Sequence, residues 1–495
     1  MNPFILYFSL DILLIINMLL AISIIFWERK NPGATWAWLM VSLLLPYLGF
    51  ILYLWIGAET KGRKAFVIKS QMDLELFNSY AKTSTYADNI HDTLSKYSAQ
   101  ELVFEGLEWS NFNELVFMNF ASGLSFLCHN NEVDIFHEGN TKFDKLFEDI
   151  ENAKSFIHLQ YYIVRDDELG RRLITLLAKK AAEGVEVRFL VDCMGKPFRY
   201  KRLFAPLIRA GGIMRVFLPR YIVRVNYRNH RKIVVIDGTL GYVGGINVGT
   251  EYLGRGNRFN NWRDAHIRVC GGSTKELGLR FIMDWNYAKS LQQHIPLSAK
   301  YFPNAEDCTQ YSDGVKMQIV SSGPDTRWAN IRDGYIKMIT GAKHRVYIQT
   351  PYFVPDDAIF ETLKIAALSG VDVRIMIPAN ADHPFVYWAA LSYLDTLADA
   401  GVKCYKYHNG FVHSKLVMVD GLVTSVGTAN VDIRSFKLNF EVNAFIYDEA
   451  KTAEFEAQFL RDVDDCVLMD REFFERRGRW SKIREAVSRL LSPLL

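Results

Sequence analysis

The sequence contains six cysteines (Cys128, Cys193, Cys270, Cys308, Cys404 and Cys466) and no C-x-x-C pair. That absence removes the common zinc and dithiol motifs and fits separate thiols in a reducing compartment. Strong charge of either sign is also missing, because 58 Lys and Arg against 55 Asp and Glu leave +3. Whole-chain attraction to a polyanion is therefore weak, and any basic surface must be local. No aromatic pattern marks a stacking platform for bases, so no nucleic-acid partner is expected. The first apolar run has no basic residue before it and no A-x-A-like end, which argues against a cleaved signal peptide.

Two long apolar runs, 4–27 and 34–56, open the chain around a polar turn at 28–33. Each is long enough to cross a bilayer as a helix, which takes about 20 residues. They read as a two-helix transmembrane hairpin over residues 1–58, with Asp11 and Asn17 near an interface or turned toward the partner helix. Lys61, Arg63, Lys64 and Lys69 outnumber Arg29 and Lys30, so the positive-inside bias puts the rest of the chain in the cytoplasm. Residues 59–113 read as a polar juxtamembrane connector with no legible function.

Beyond it the chain repeats itself. Residues 153–160 (AKSFIHLQ) match 342–349 (AKHRVYIQ), and 184–188 (GVEVR) match 370–374 (GVDVR), in the same order. Each copy runs from a β-branched segment (156–163; 346–354) through a helical pattern (169–182; 358–369) to a second apolar segment (185–191; 371–377). That is a βαβ signature and predicts an α/β fold with a mostly parallel sheet covered by helices. Two duplicated α/β domains follow, 114–305 and 306–495, the second ending in an amphipathic helix.

Reactive side chains concentrate at two places. Asn229-His230-Arg231-Lys232 leads to Asp237-Gly238, and Val412-His413-Ser414-Lys415 leads to Asp420-Gly421. A constant shift of 183 residues carries each residue of the first H-x-K-x4-D motif onto the second, and carries Asn247 onto Asn430. A single match is a weak signal, but two in register with their downstream Asn are a strong one. Side chains two apart on a strand share a face, so His and Lys point toward one cleft. Two His, two Lys and two Asn can then surround one phosphodiester with cations and amide donors, without a metal or other cofactor.

Asp237 and Asp420 complete the motifs and count among their candidate catalytic residues. Their odd spacing from the His, and the Gly that follows, nevertheless mark them as strand-end turn residues with a structural role. Asp264 and Glu441, each opening the next alternating run of its own copy, are the carboxylates better suited to orient the histidines.

These motifs resemble those of the phospholipase D superfamily. A narrower resemblance, to bacterial cardiolipin synthases, rests on Glu28-Arg29-Lys30-Asn31-Pro32, Ala34-Thr35-Trp36-Ala37-Trp38, Arg434-Ser435-Phe436, Asn439-Phe440-Glu441-Val442-Asn443 and the tail 491–495, and covers essentially the whole chain. It implies two phospholipase D-like domains forming one active site at their interface, independence from metal and a phosphohistidine intermediate. The implied reaction joins two phosphatidylglycerols into cardiolipin and glycerol at the bilayer of a bacterial cell membrane. Self-association to a homo-oligomer is left open. The superfamily's usual assignment makes His230 the nucleophile and His413 first the acid, then the base. Two alternatives stay open, a membrane phospholipase D using water as acceptor and a catalytically idle membrane scaffold. The basic and aromatic segment 199–228 reads as a lip for anionic headgroups, and 477–495 as an interfacial amphipathic helix.

Overall fold

A computed structural model of the chain describes residues 15–23, 25, 32–46, 48–53, 60–83, 112–217, 227–256, 259–288, 294–303, 314–380 and 382–492. The repeat folds as strand, helix, strand in both copies. Phe156–Tyr161, helix Glu168–Ala182 and Glu186–Asp192 form one unit, and Arg345–Gln349, helix Asp357–Leu368 and Asp372–Pro378 form its counterpart, each with its two strands parallel. Asp167 and Asp356 start the two helices by accepting the backbone N–H of Gly170 and Ile359.

One sheet runs through both copies. Outward from the seam, the first copy orders its strands Cys128–Phe136, His266–Cys270, Leu240–Gly244, Ile233–Ile236, Phe156–Tyr161, Glu186–Asp192 and Ile213–Phe217. The second repeats that order as Val315–Ser322, Asn439–Tyr447, Val423–Gly427, Leu416–Val419, Arg345–Gln349, Asp372–Pro378 and Lys403–Tyr407. Cys128–Phe136 pairs antiparallel with Val315–Ser322 and joins the copies.

The expectation of a mostly parallel sheet needs correction. Within the strand order just given, the parallel pairs lie among the outer strands of each copy, whereas those nearer the seam are antiparallel. Helical crossovers give the parallel part, because a parallel pair needs a long connection. Asp237-Gly238 and Asp420-Gly421 give the antiparallel part, since all four residues hold positive φ (53° and 73°; 55° and 74°) and turn the chain back as tight hairpins.

Alternate side chains of the sheet feed opposite layers. On one face, helices Gly139–Asn152, Glu168–Ala182 and Tyr200–Arg209 cover the first copy, and Asn330–Gly341, Asp357–Leu368 and Pro384–Asp399 cover the second. On the other, Phe281 and Trp285 from helix Ser273–Ala288 and Phe455 and Phe459 from helix Glu449–Val463 belong to one core. That core takes strand residues from both copies, including Val133, Met317 and Ala444. A core shared in this way fixes the two copies against each other.

Near the N-terminus, the second apolar run is not one helix. Helix Pro32–Leu44 ends before a bend at Leu45 and Pro46, and Leu48–Leu52 resumes. Pro46 lacks the N–H that an unbroken helix would use there. Among the described residues no helix is long and apolar enough to cross a membrane. Asn17 Nδ2 donates to Ser42 O at 3.3 Å, so the first run packs on the second. Asp11 and the turn at 28–31 lie outside the described residues.

Helix Thr60–Thr83 packs against both copies, where the sequence suggested only a connector. Phe66 packs edge-on against Tyr227 and Phe440, with ring centroids 4.8 and 5.5 Å apart. Lys69 is fully buried, with its ammonium 2.6 Å from Asp73, 2.8 Å from Asp325 and 3.2 Å from Asp284. Asp284 in turn binds Arg231 at 2.7 Å. A buried cation persists only when paired in this manner.

Candidate active site

Each motif histidine directly follows a two-residue strand that pairs with the opposite copy. Arg228–Asn229 runs parallel to the start of Asn439–Tyr447, and the His230 N–H donates to Phe440 O at 2.9 Å. Phe411–Val412 runs parallel to Trp262–Arg263, and the His413 N–H donates to Arg263 O at 2.6 Å. The residue after each of those partner strands' contacts is the expected carboxylate, so the two copies exchange partners. His230 Nδ1 lies 3.0 Å from Glu441 Oε2 and 3.1 Å from its Oε1, and also 3.0 Å from Thr428 O. His413 Nδ1 lies 2.7 Å from Asp264 Oδ2.

Both carboxylates are fully buried and held by further donors. Asn439 Nδ2 donates to Glu441 Oε1 at 3.0 Å, and the Ala265 N–H to Asp264 Oδ1 at 2.7 Å. Gly245 is required where it stands, because a Cβ there would sit 2.0 Å from Asp264 Oδ1. An imidazole whose Nδ1–H is committed to a carboxylate presents its Nε2 lone pair outward. Both histidines are therefore set as nucleophile or proton carrier.

Burial governs the charges. It pulls the His230 imidazole below its ordinary range against the opposing pull of Glu441. For His413, burial and then the Lys415 charge bring the value to about 4 in spite of Asp264. Burial also lowers Lys232 to about 7 and Lys415 to about 8. Burial pushes the Asp264 and Glu441 carboxyls up, but the histidine and lysine charges reverse this and hold both below the usual carboxylate range. With no anion bound, both imidazoles are neutral at pH 7.

A cleft of about 1100 Å³ opens between the copies and is lined by His230, His413, Asn247 and Asn430. Asn247 Oδ1 accepts the Ile163 N–H at 3.1 Å and its Nδ2 donates to the Tyr252 hydroxyl at 3.4 Å, which leaves one amide N–H as a donor. Lys232 and Lys415 lie fully buried just behind the histidines, each donating to the carbonyl of its own motif His, at 2.6 Å for Lys232 and His230.

Asp237 and Asp420, placed among the candidate catalytic residues by the motif, do not line the cleft. Asp237 accepts the N–H groups of Lys154, Ser155 and Phe156 at 2.7, 2.7 and 2.9 Å. Asp420 accepts those of Lys343, His344 and Arg345 at 2.7, 2.8 and 2.8 Å. Each sits in the left-handed region that the hairpin turn demands, a conformation Asp tolerates, and ties that turn to the start of a βαβ strand.

Of the basic segment 199–228, Arg228 lines the cleft, whereas Arg215 is buried and donates to Trp285 O at 3.0 Å. Residues 218–226 lie outside the described set. Several cleft residues carried no motif. Tyr162 stands edge-on to His230 with ring centroids 5.1 Å apart, Trp262 lies 5.2 Å from His413, and Tyr252 and Tyr352 complete an aromatic wall. Tyr162 was findable, because it follows the first strand of a βαβ unit, where ligands of α/β sheets bind.

Similarity to known proteins runs the length of the chain. A family model described as "Cardiolipin synthase, PLD-like domain" matches residues 146–266 and 335–463, once in each copy. Another, described as "Phospholipase D-nuclease N-terminal", matches residues 15–57. Proteins named cardiolipin synthase from Listeria monocytogenes are 45% identical over 493 residues, covering 99% of both chains. One of that name from Oceanobacillus iheyensis is 45% identical over 489 residues, covering 98% of each chain. Another from Staphylococcus aureus is 44% identical over 487 residues, covering 97% of this chain and 95% of the relative. Among solved structures, the phosphatidylserine synthase of Haemophilus influenzae superposes with a TM-score of 0.59 over 77% of this chain and 100% of that one. At 13% identity it shares the fold.

Proposed function

This chain belongs to the cardiolipin synthase family of phosphatidyltransferases, and we propose that its crossed histidines carry a phosphatidyl group from one phosphatidylglycerol to another. His230 Nε2 attacks the phosphorus of the first lipid, the phosphorus–oxygen bond to the headgroup glycerol breaks, and His413 gives its proton to the departing oxygen. A glycerol hydroxyl of the second lipid then loses its proton to His413 and attacks the phosphorus, breaking the phosphorus–nitrogen bond. Cardiolipin and glycerol leave, and both histidines regain their starting protonation. The covalent intermediate divides one difficult displacement into two easier ones.

Each protein group has a definable share. Lys232, Lys415, Asn247 and Asn430 stabilise charge on the non-bridging oxygens, a kind of preorganised stabilisation that contributes about 3–4 kcal/mol per donor in other enzymes. Glu441 supports His230 when it carries the phosphoryl group. Asp264 supports the His413 imidazolium, which becomes populated as the anionic lipid enters. Asp237 and Asp420 hold the turns that fix each motif's register. The aromatic wall excludes water, so that an alcohol wins over hydrolysis.

The apolar N-terminal runs hold the enzyme at a bacterial cell membrane, with the catalytic region on the cytoplasmic side. The observation that carries the reaction is the pair of histidines facing one cleft, each held through Nδ1 by a carboxylate of the other copy. Purified protein given phosphatidylglycerol in vesicles with a chelator tests it. Cardiolipin and glycerol in equal amounts are expected. Phosphatidic acid in their place would make the enzyme a hydrolase, and no turnover would make it a scaffold.

A further inference from the structure

The last helix, Arg479–Leu491, is packed the wrong way round for a soluble protein. Its residues toward the body are polar: Glu485, Ser488 and the following Ser492 are buried, and Glu485 pairs with Arg477. Trp480, Ile483, Val487 and Leu490 recur at helical spacing on the opposite face, and Trp480 is 77% and Leu490 61% exposed. Ile483 and Val487 are each about half exposed. A globular helix turns its apolar stripe inward, whereas an interfacial helix turns it outward.

Charge decides what covers this stripe. Arg479, Lys482, Arg484 and Arg489 flank it and are exposed, and the helix's single acid is the buried Glu485. A second copy docking by two-fold symmetry would set these cations against themselves, because such a contact uses the same patch twice. An anionic bilayer suits both the apolar stripe and its cationic border.

The same chemistry recurs beside the cleft. Loop 193–199 follows strand Glu186–Asp192 and carries Phe198, which is 98% exposed, and Met194, which is about half exposed. Arg199, Lys201 and Arg202 are exposed next to it, and no acid occurs between 193 and 210. Gly195 O of this loop accepts the Val164 N–H at 3.2 Å, directly behind the cleft residues Tyr162 and Ile163. In the second copy the corresponding strand, Asp372–Pro378, leads to Phe385, 56% exposed, between the cleft residues His383 and Val386. Phe385 lies in helix Pro384–Asp399, on which the last helix packs; Arg484 stacks there on Trp388 and Arg477 pairs with Asp395.

We propose that the catalytic body docks on an anionic lipid bilayer through helix Arg479–Leu491 and loop 193–199, so that the cleft opens onto the lipid surface. This attachment is separate from the N-terminal apolar runs, and it rests on the reading that the substrates are membrane lipids. Insertion of Phe198 beside the first copy and of the last helix beside the second steadies the cleft mouth over headgroups.

The test uses the full chain in lipid nanodiscs, with an environment-sensitive fluorescent amino acid at position 198 in one sample and at 487 in another. Brominated acyl chains are the quencher, in neutral phosphatidylcholine alone or mixed with phosphatidylglycerol. Quenching at both positions, rising with the anionic fraction, is the expected result. No quenching overturns the proposal, quenching at one position removes the other surface from it, and equal quenching in neutral lipid removes the role of charge. A blue shift that depends on protein concentration in detergent would assign the stripe to a second copy instead. The Ile483→Ser/Leu490→Ser variant is expected to keep turnover in phosphatidylglycerol-rich micelles and lose it several-fold in nanodiscs where that lipid is dilute. Equal loss in both would mean the stripe serves folding. Quenching with no turnover by the parent chain would leave docking intact and remove the transferase reading.

Discussion

His230 of the first copy takes its carboxylate from the second, with Nδ1 3.0 Å from Glu441 Oε2. Asp264 of the first copy returns the contact to His413 at 2.7 Å. Neither copy supplies both members of either motif histidine's couple, so the candidate site is complete only where the copies meet.

Loss of either carboxylate therefore disables a histidine in the opposite copy. Glu441→Gln and Asp264→Asn keep the shape but remove the charge that fixes the tautomer and supports imidazolium. Each is expected to lower kcat by roughly 10²–10⁴-fold, the range such changes produce in histidine–carboxylate couples. Steady-state assay with intact thermal unfolding checks this, and a loss of under about tenfold would contradict the roles assigned.

Anion binding should draw protons into the site. Burial holds Lys232 at about 7 and Lys415 at about 8, and it lowers both imidazoles as well. A phosphate beside them favours the charged forms and raises all four values. Between pH 7 and 8 a phosphonate analogue of the lipid should therefore bind with net proton uptake. Calorimetry in buffers of different ionisation enthalpy reads the sign directly, and proton release would contradict the electrostatics.

Asp237 and Asp420 are expected to act on stability. Replacing either with Ala frees three backbone N–H groups and puts Ala in the left-handed region, a cost of about 2–4 kcal/mol. The melting temperature should fall while kcat of the folded fraction stays within a few-fold. A large drop in kcat at unchanged stability would return these residues to the chemistry.

Lys69 links the N-terminal helix to the first motif. Lys69→Met leaves three aspartates facing one another around Arg231, and breaking a buried ion pair costs about 3–5 kcal/mol. Unfolding in detergent should show that loss, whereas an unchanged midpoint would mean that the helix is only loosely attached.

Much of this site was legible, because its parts are local. The Asp-Gly turns and the repeat order follow from backbone geometry that a short segment determines alone. The crossing was not legible. It depends on Arg228–Asn229 lying beside Asn439–Phe440, more than two hundred residues away, and either carboxylate fits either histidine by sequence. Nor was the role of helix Thr60–Thr83, whose polar sequence reads as a solvated connector until Lys69 is seen among its three aspartates. The copies differ there too. Arg231 serves the buried Asp284, while its counterpart Ser414 cannot serve Asp462, which takes Arg263 from the first copy at 2.8 Å.

The most direct measurement is to trap the covalent intermediate. Phosphatidylglycerol labelled at phosphorus, mixed with the enzyme and quenched within the first turnover, should leave the label on the peptide that contains His230. It should be lost in His230→Ala, and in His413→Ala it should form slowly or fail to turn over. Label on His413 with none on His230 would reverse the two roles, and turnover to cardiolipin with no labelled histidine would contradict covalent transfer.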